Sequence, residues 1–258
     1  MRISVLFDEH SVDNKLQTGF GFSALINNSV LFDVGTDGSA VVNNMRVLGI
    51  GFQSIEAVVL SHEHWDHTDG LEDVLSVLEN PAVYVCPGVP RRLKKRIGEA
   101  GATMIECGTP AHVCEGVFTT GEMRGEYKGG AMPEQSLLAA YGDDRAAVIS
   151  GCAHYGIARG ILELQTCAAR VFGGTVALDT VAGGLHLSHE SDEAITGIAG
   201  TLHAAGVRAV APVHCSGSNG RRMFASQPFW TFHDLRVGST LEQPCCGRDE
   251  PCESPPCT

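Results

Sequence analysis

Residues 61–67 read SHEHWDH, with three histidines, a glutamate and an aspartate in seven positions. Histidines on a protein surface are usually scattered, so this density calls for a chemical reason. His62 and His64 stand two apart, a spacing that turns both imidazoles to the same side of an extended chain. Asp66 and His67 follow a bend and can face a neighbouring point. Imidazole nitrogen with carboxylate oxygen suits zinc, iron or manganese, and the lack of thiols in the motif argues against a closed structural zinc site. The pattern therefore predicts an open metal centre. HEHWD begins like H-E-x-x-H, but its fifth position is Asp66 and the stretch follows an apolar strand, so a zincin protease is excluded.

The elements around the motif explain how it is delivered. IEAVVLS, residues 55–61, reads as a fully buried strand ending at the histidines. Before it, residues 2–7, 20–26 and 29–35 read as strands, with Asn27 and Asn28 in a tight hairpin turn. A helix follows Gly38 and stops near Gly49. After the motif, GLEDVLSVLE predicts a helix, AVYVC a strand, PRRLKKRIGEAG a helix and TMIE a strand. Residues 107–135, polar and glycine-rich, read as one strand and a long functional loop. The second half repeats this grammar. Strand AAVISG runs into the loop CAHYG, a helix follows from 157, TVALDTVAG and GLHLS read as two strands, residues 192–205 form a helix, and VRAVAPV runs into HCSG. Each half thus places histidine loops just after apolar strands, where open α/β sheets bind their ligands. Four such loops are expected to converge on one edge.

The chain has 258 residues, enough for one large α/β domain over 1–243, followed by a flexible tail, 244–258, with four cysteines and four prolines. Its formal charge of −12, and the absence of any basic run longer than RRLKKR, argue against a nucleic-acid partner. RRLKKR itself reads as the solvated face of a helix. The N-terminus lacks the apolar core of a signal peptide and no window approaches a membrane span, so the expected location is cytoplasmic, without a membrane partner. The ten cysteines are read as reduced thiols. A small-molecule substrate is the expected partner, and nothing in the chain specifies an oligomeric state.

Beyond these readings, SHEHWDH followed by TDGL resembles the HxHxDH signature of the metallo-β-lactamase superfamily, and LFDVG resembles its preceding motif. GCAHYGI at 151–157, GGLHL at 183–187 and APVHCSG at 211–217 resemble more narrowly the branch containing relatives of 7,8-dihydropterin-6-methyl-4-(β-D-ribofuranosyl)aminobenzene-5′-phosphate synthase. The resemblance covers residues 2–243. It implies an αββα four-layer sandwich of two mixed β-sheets flanked by helices, with metal at one sheet edge. It also implies one or two divalent transition metals, zinc first, with iron or manganese as alternatives. His62 and His64 would hold the first metal and Asp66 and His67 the second. His154 and His214 would supply the distant ligands, and Asp33 would orient a ligand histidine from behind.

One departure from the superfamily is visible. Many members carry a histidine in a PGHT loop and later an aspartate bridging both metals. Here TTGEM and SGCAH occupy those positions, so Glu122 replaces the histidine and Cys152 or His154 replaces the aspartate. Asp66 and His186 are the candidate catalytic residues, with a satisfied core histidine as the alternative for His186. The resemblance implies a metal-dependent hydrolase or transferase acting on a small, phosphorylated or pterin-like substrate. An iron oxidoreductase on the same fold, or a metal-binding sensor without catalysis, are the alternatives.

Overall fold

The computed structural model describes residues 1–174 and 176–244. The C-terminal cysteines, and with them the tail expected from 244 onward, lie outside the described residues except for Pro244.

Two seven-stranded sheets carry the architecture. In spatial order the first consists of Thr240–Glu242 (β16), Arg2–Phe7 (β1), Ser23–Ile26 (β2), Val30–Phe32 (β3), Ala57–Val59 (β4), Ala82–Val85 (β5) and Thr103–Glu106 (β6). The second consists of Thr231–Phe232 (β15), Ala209–Val213 (β14), Ala177–Gly184 (β13), Arg145–Ser150 (β12), Leu137–Tyr141 (β11), Val117–Thr119 (β8) and Ala111–Cys114 (β7). Both are mixed. β3 to β6 run parallel, as do β12 to β15, and the remaining pairings are antiparallel.

Residues from the inner faces of both sheets, among them Phe32, Val59, Ile149 and Ala211, form one buried cluster between them. Helices Gly38–Val47 (α1), Leu71–Leu75 (α3) and Arg91–Glu99 (α4) cover the outer face of the first sheet. Ile157–Phe172 (α5), Asp192–Ala204 (α6) and Gly217–Ala225 (α7) cover the second. Periodicity explains this placement. In α4 only Leu93 and Ile97, four apart, are buried, while its arginines and lysines stay on the solvent side. The result is the four-layer αββα sandwich.

Asn27 and Asn28 both have positive φ, as a two-residue hairpin turn requires. Two expectations need correction. Residues 107–135 hold no long loop. They form β7, β8 and a separate two-stranded hairpin, Met123–Tyr127 (β9) with Gly130–Glu134 (β10), in which alternating exposed and buried residues let a polar sequence form strands. GLHLS is not a strand. β13 stops at Gly184, and His186 takes a left-handed φ of 54° that ends extended pairing.

Candidate metal centre

The ends of β3, β4, β12, β13 and β14 meet on one edge of the sandwich and carry Asp33, the SHEHWDH loop, Cys152 with His154, His186 and His214. Within the motif His64 is extended, with φ −61° and ψ 145°, and the single helical turn Trp65–Thr68 (α2) begins immediately after it. This bend separates two donor sets. His62, His64 and His154 bring one ligand atom each within 4.8 Å of one another, and Asp66, His67 and His214 form a second such group. Cys152 groups with His62 and His67, with His154 and His186, and with His214 and Cys215.

Hydrogen bonds behind the histidines fix which nitrogen faces inward. Asp33 Oδ2 lies 2.7 Å from His67 Nδ1 and also accepts the Ser61 hydroxyl at 2.7 Å. Ser61 has one hydroxyl proton and spends it on Asp33, so His62 Nδ1, 2.8 Å from Ser61 Oγ, must be the donor in that contact. Nε2 of each ring is thereby left for the cluster. His62 Nε2 sits 3.0 Å from His64 Nδ1, and His67 Nε2 sits 3.3 Å from Cys152 Sγ. Asp33, the Ala153 loop residue, His186 and His214 all hold left-handed φ, a conformation non-glycine residues adopt at a cost when the site requires it. Gly151 is tightly confined, since a Cβ there would lie 2.1 Å from Ser61 Oγ.

The electrostatics separate the two sets. Burial, then the charges of His67 and His154, hold His62 well below the ordinary histidine value. Burial, then His186 and His64, bring His154 down to about 3. Both rings are neutral donors at neutral pH. For His67, burial is outweighed by the charge and hydrogen bond of Asp33, which raise it to about 9. Burial alone would raise Asp66, but its contact with His214 and the charges of His67 and His214 bring it to about 2. Asp66 Oδ2 is 3.2 Å from His214 Nε2.

The fit of a metal to this site rests on the donors themselves. Both ring nitrogens of His154, and Nδ1 of His214 and of His186, are buried without a hydrogen-bond partner, and His214 Nε2 has only the Asp66 carboxylate at 3.2 Å. Buried polar atoms normally find a partner, and here several unpartnered ones face one small volume from different strands. With the Asp66 carboxylate and the Cys152 sulfur beside them, these imidazoles make a mixed N, O and S donor set that fits a transition metal.

Glu122 joins neither set. Its Oε2 accepts the Gly88 amide at 2.7 Å, so the carboxylate closes a loop instead of replacing a ligand histidine. The carboxylate that does reach the site is Glu134, which sequence reading overlooked. It is fully buried, accepts the amides of Cys152, Ala153 and His154 at 2.9, 2.8 and 2.5 Å, and lies 3.9 Å from His62 Nδ1. Burial pushes it up to about 7 against those three donors. Nothing local in GGAMPEQ marks it, because its role depends on the β9–β10 hairpin crossing behind the 152–154 loop. Cys215 was also missed. Its sulfur accepts the His186 amide at 3.3 Å.

Aromatic rings border the cluster. Tyr127 packs edge-on to His64 and His154 at 4.6 and 5.2 Å between centroids. On the other side Phe20 lies 5.1 Å from His214 and stacks on Trp65 at 5.8 Å, and these two rings are 49% and 56% exposed. A cavity of about 290 Å³ opens beside His214, bordered by Asp8, His10, Ser218, Arg221 and Arg236. Among the described residues no helix is long and apolar enough to cross a membrane.

Residues 28–141 match the model of the beta-lactamase superfamily domain. The chain is 24% identical, over 255 residues, to the 7,8-dihydropterin-6-methyl-4-(β-D-ribofuranosyl)-aminobenzene-5′-phosphate synthase of Methanocaldococcus jannaschii, covering 84% of this chain and 85% of that protein. Among solved structures it is similar to a metal-dependent hydrolase of the beta-lactamase superfamily, with 27% identity, a TM-score of 0.75 and coverage of 95% of this chain and 99% of the other. The metallo-β-lactamase fold protein YhfI of Bacillus subtilis shares the fold at 12% identity and a TM-score of 0.63, covering 93% and 99%. With its HxHxDH loop seated at the edge of a four-layer sandwich, the chain has the metallo-β-lactamase fold and carries, over residues 28–141, a match to the beta-lactamase superfamily domain.

Proposed function

We propose that this chain is a metal-dependent enzyme that hydrolyses, or transfers a group from, a small phosphorylated or pterin-like molecule. The observation that carries the reading is the convergence of two donor sets, His62–His64–His154 and Asp66–His67–His214, on one edge of the sandwich, with the buried ring nitrogens of His154 left without a hydrogen-bond partner. The substrate class is supported by similarity to a synthase whose name specifies a dihydropterin and a ribofuranosyl phosphate.

In this reading each set holds one divalent transition metal, with zinc the first candidate and iron or manganese the others. Such a cation supplies Lewis acidity to a carbonyl or phosphoryl oxygen and lowers the pKa of a water molecule toward about 7. The chain does the rest. Asp33 and Ser61 hold His67 and His62 in the tautomers that face the site. Asp66, ionised and a member of the second set, takes the proton released by the attacking nucleophile. His186, half-buried with its ring 4.7 Å from that of His154, hands a proton to the leaving group. Phe20 and Trp65 supply the flat surface on which an aromatic ring of the substrate lies. Substrate is a small molecule, the chain works in the cytoplasm, and neither nucleic acid nor membrane is a partner.

The test is elemental analysis of the purified protein together with turnover of phosphodiesters, thioesters and dihydropterin phosphates. Stoichiometric zinc, iron or manganese, and turnover of one class that disappears in His62→Ala, is the expected result. A protein that binds none of these metals and turns over none of these substrates after their addition overturns the reading.

A further inference from the structure

We propose that Cys152 is the ligand shared by the two donor sets, its thiolate standing where a bridging carboxylate would otherwise be. This rests on the reading of the site as a metal centre and specifies how its halves are joined.

The geometry singles out this sulfur. Cys152 Sγ lies 3.3 Å from His67 Nε2, in the second set, and also falls within 4.8 Å of ligand atoms of His62 and His154, in the first, and of His214. Of the residues in these groupings, Cys152 alone occurs in three, one with both His62 and His67, one with His154 and one with His214, which together span both sets. The nearby carboxylates are committed elsewhere. Asp33 is turned to His67 Nδ1 and Ser61, and Glu134 is taken up by three backbone amides. Asp66 belongs to the second set only. An anion between two divalent ions lowers their mutual repulsion, and Cys152 is the remaining buried group in that place able to become one.

The loop is built to hold it there. Ala153 adopts φ 59°, and Glu134 binds the amides on both sides of it, so the Cys152 side chain is fixed toward the histidines. The unpartnered ring nitrogens of His154, one of them within 4.8 Å of the Cys152 sulfur, are independent evidence that a ligand is expected there. On binding, the S–H bond breaks, the sulfur keeps the electron pair, and the proton leaves to solvent. A coordinating cation overrides the burial that keeps a metal-free thiol protonated.

Cobalt(II) is the probe, because a thiolate bound to it produces an intense near-ultraviolet charge-transfer band that imidazole and carboxylate ligands do not. The expected result is two cobalt ions per chain with this band in the wild type. In Cys152→Ser the band should be lost with one of the two ions, in Cys215→Ser it should remain, and in Cys152→Asp both ions should bind without it. A cobalt-loaded wild type lacking the band, or a band that survives in Cys152→Ser or vanishes in Cys215→Ser, overturns the proposal while leaving the metal-enzyme reading intact. Failure to bind any metal overturns both. Should Cys152→Ser not fold, zinc-edge absorption of the wild type decides, since a sulfur neighbour at about 2.3 Å is required and its absence is contrary to the proposal.

Discussion

Asp33 Oδ2 stands 2.7 Å from His67 Nδ1, joining the end of β3 to the turn that follows β4. Asp33 holds a left-handed φ of 57° to do so, and both groups are fully buried. The contact fixes the ring and leaves Nε2 toward Cys152 and Asp66. Asp33→Ala should therefore weaken metal binding about 10- to 100-fold, the usual cost of losing a carboxylate behind a ligand histidine. Competition with a chelator of known affinity measures this, and unchanged affinity would mean that Asp33 only supports the fold.

Glu134 closes the far side of the site. Glu134→Gln replaces one acceptor oxygen with an amide group that faces the His154 N–H, leaving that buried donor unsatisfied. The expected cost is about 1–3 kcal/mol, read from urea unfolding of the metal-free protein. Metal stoichiometry should fall as well, because the 152–154 loop carries two of the donors.

The metal-free protein should lose stability in acid partly through His154. Its folded-state pKa, about 3, lies below the unfolded value near 6.5, so the unfolded chain takes up the proton first. Above pH 6.5 the ring is neutral in both states and its contribution is fully present. It is then lost as pH falls from 6.5 toward about 3. Wild type should show a steeper decline than His154→Leu across that window in denaturant titrations, and parallel curves would contradict the assignment.

Trp65 and Phe20 together expose aromatic surface next to His214. If they carry a planar substrate ring, Trp65→Ala should raise KM about five- to tenfold and change kcat little, as loss of about 1 kcal/mol of stacking would. Quenching of Trp65 fluorescence by a dihydropterin phosphate offers a direct readout. An equal fall in kcat with no change in KM would assign Trp65 to positioning its neighbours His64 and Asp66.

Local patterns were enough to find the strand-end histidine loops and the helices. Burial period and spacing are local properties, and SHEHWDH, GCAHYG and HCSG all sit just after apolar strands. The two-sheet architecture came instead from resemblance, since periodicity alone implies layered α/β without giving the number of sheets. Polar residues 107–135 misled because a two-faced hairpin with one buried side resembles a loop when its partner strand is unknown.

By itself, then, the sequence determined which loops carry residues able to hold a metal and that a bend separates His62 and His64 from Asp66 and His67, because these depend on neighbours along the chain. Tertiary structure decided the rest. Glu122 is drawn away to Gly88, Glu134 arrives from a distant hairpin, and Cys152 lands between the two donor sets. Those outcomes depend on which strands lie side by side, and residues separated by 85 positions, as His67 and Cys152 are, meet only when both sheets have closed on their common core.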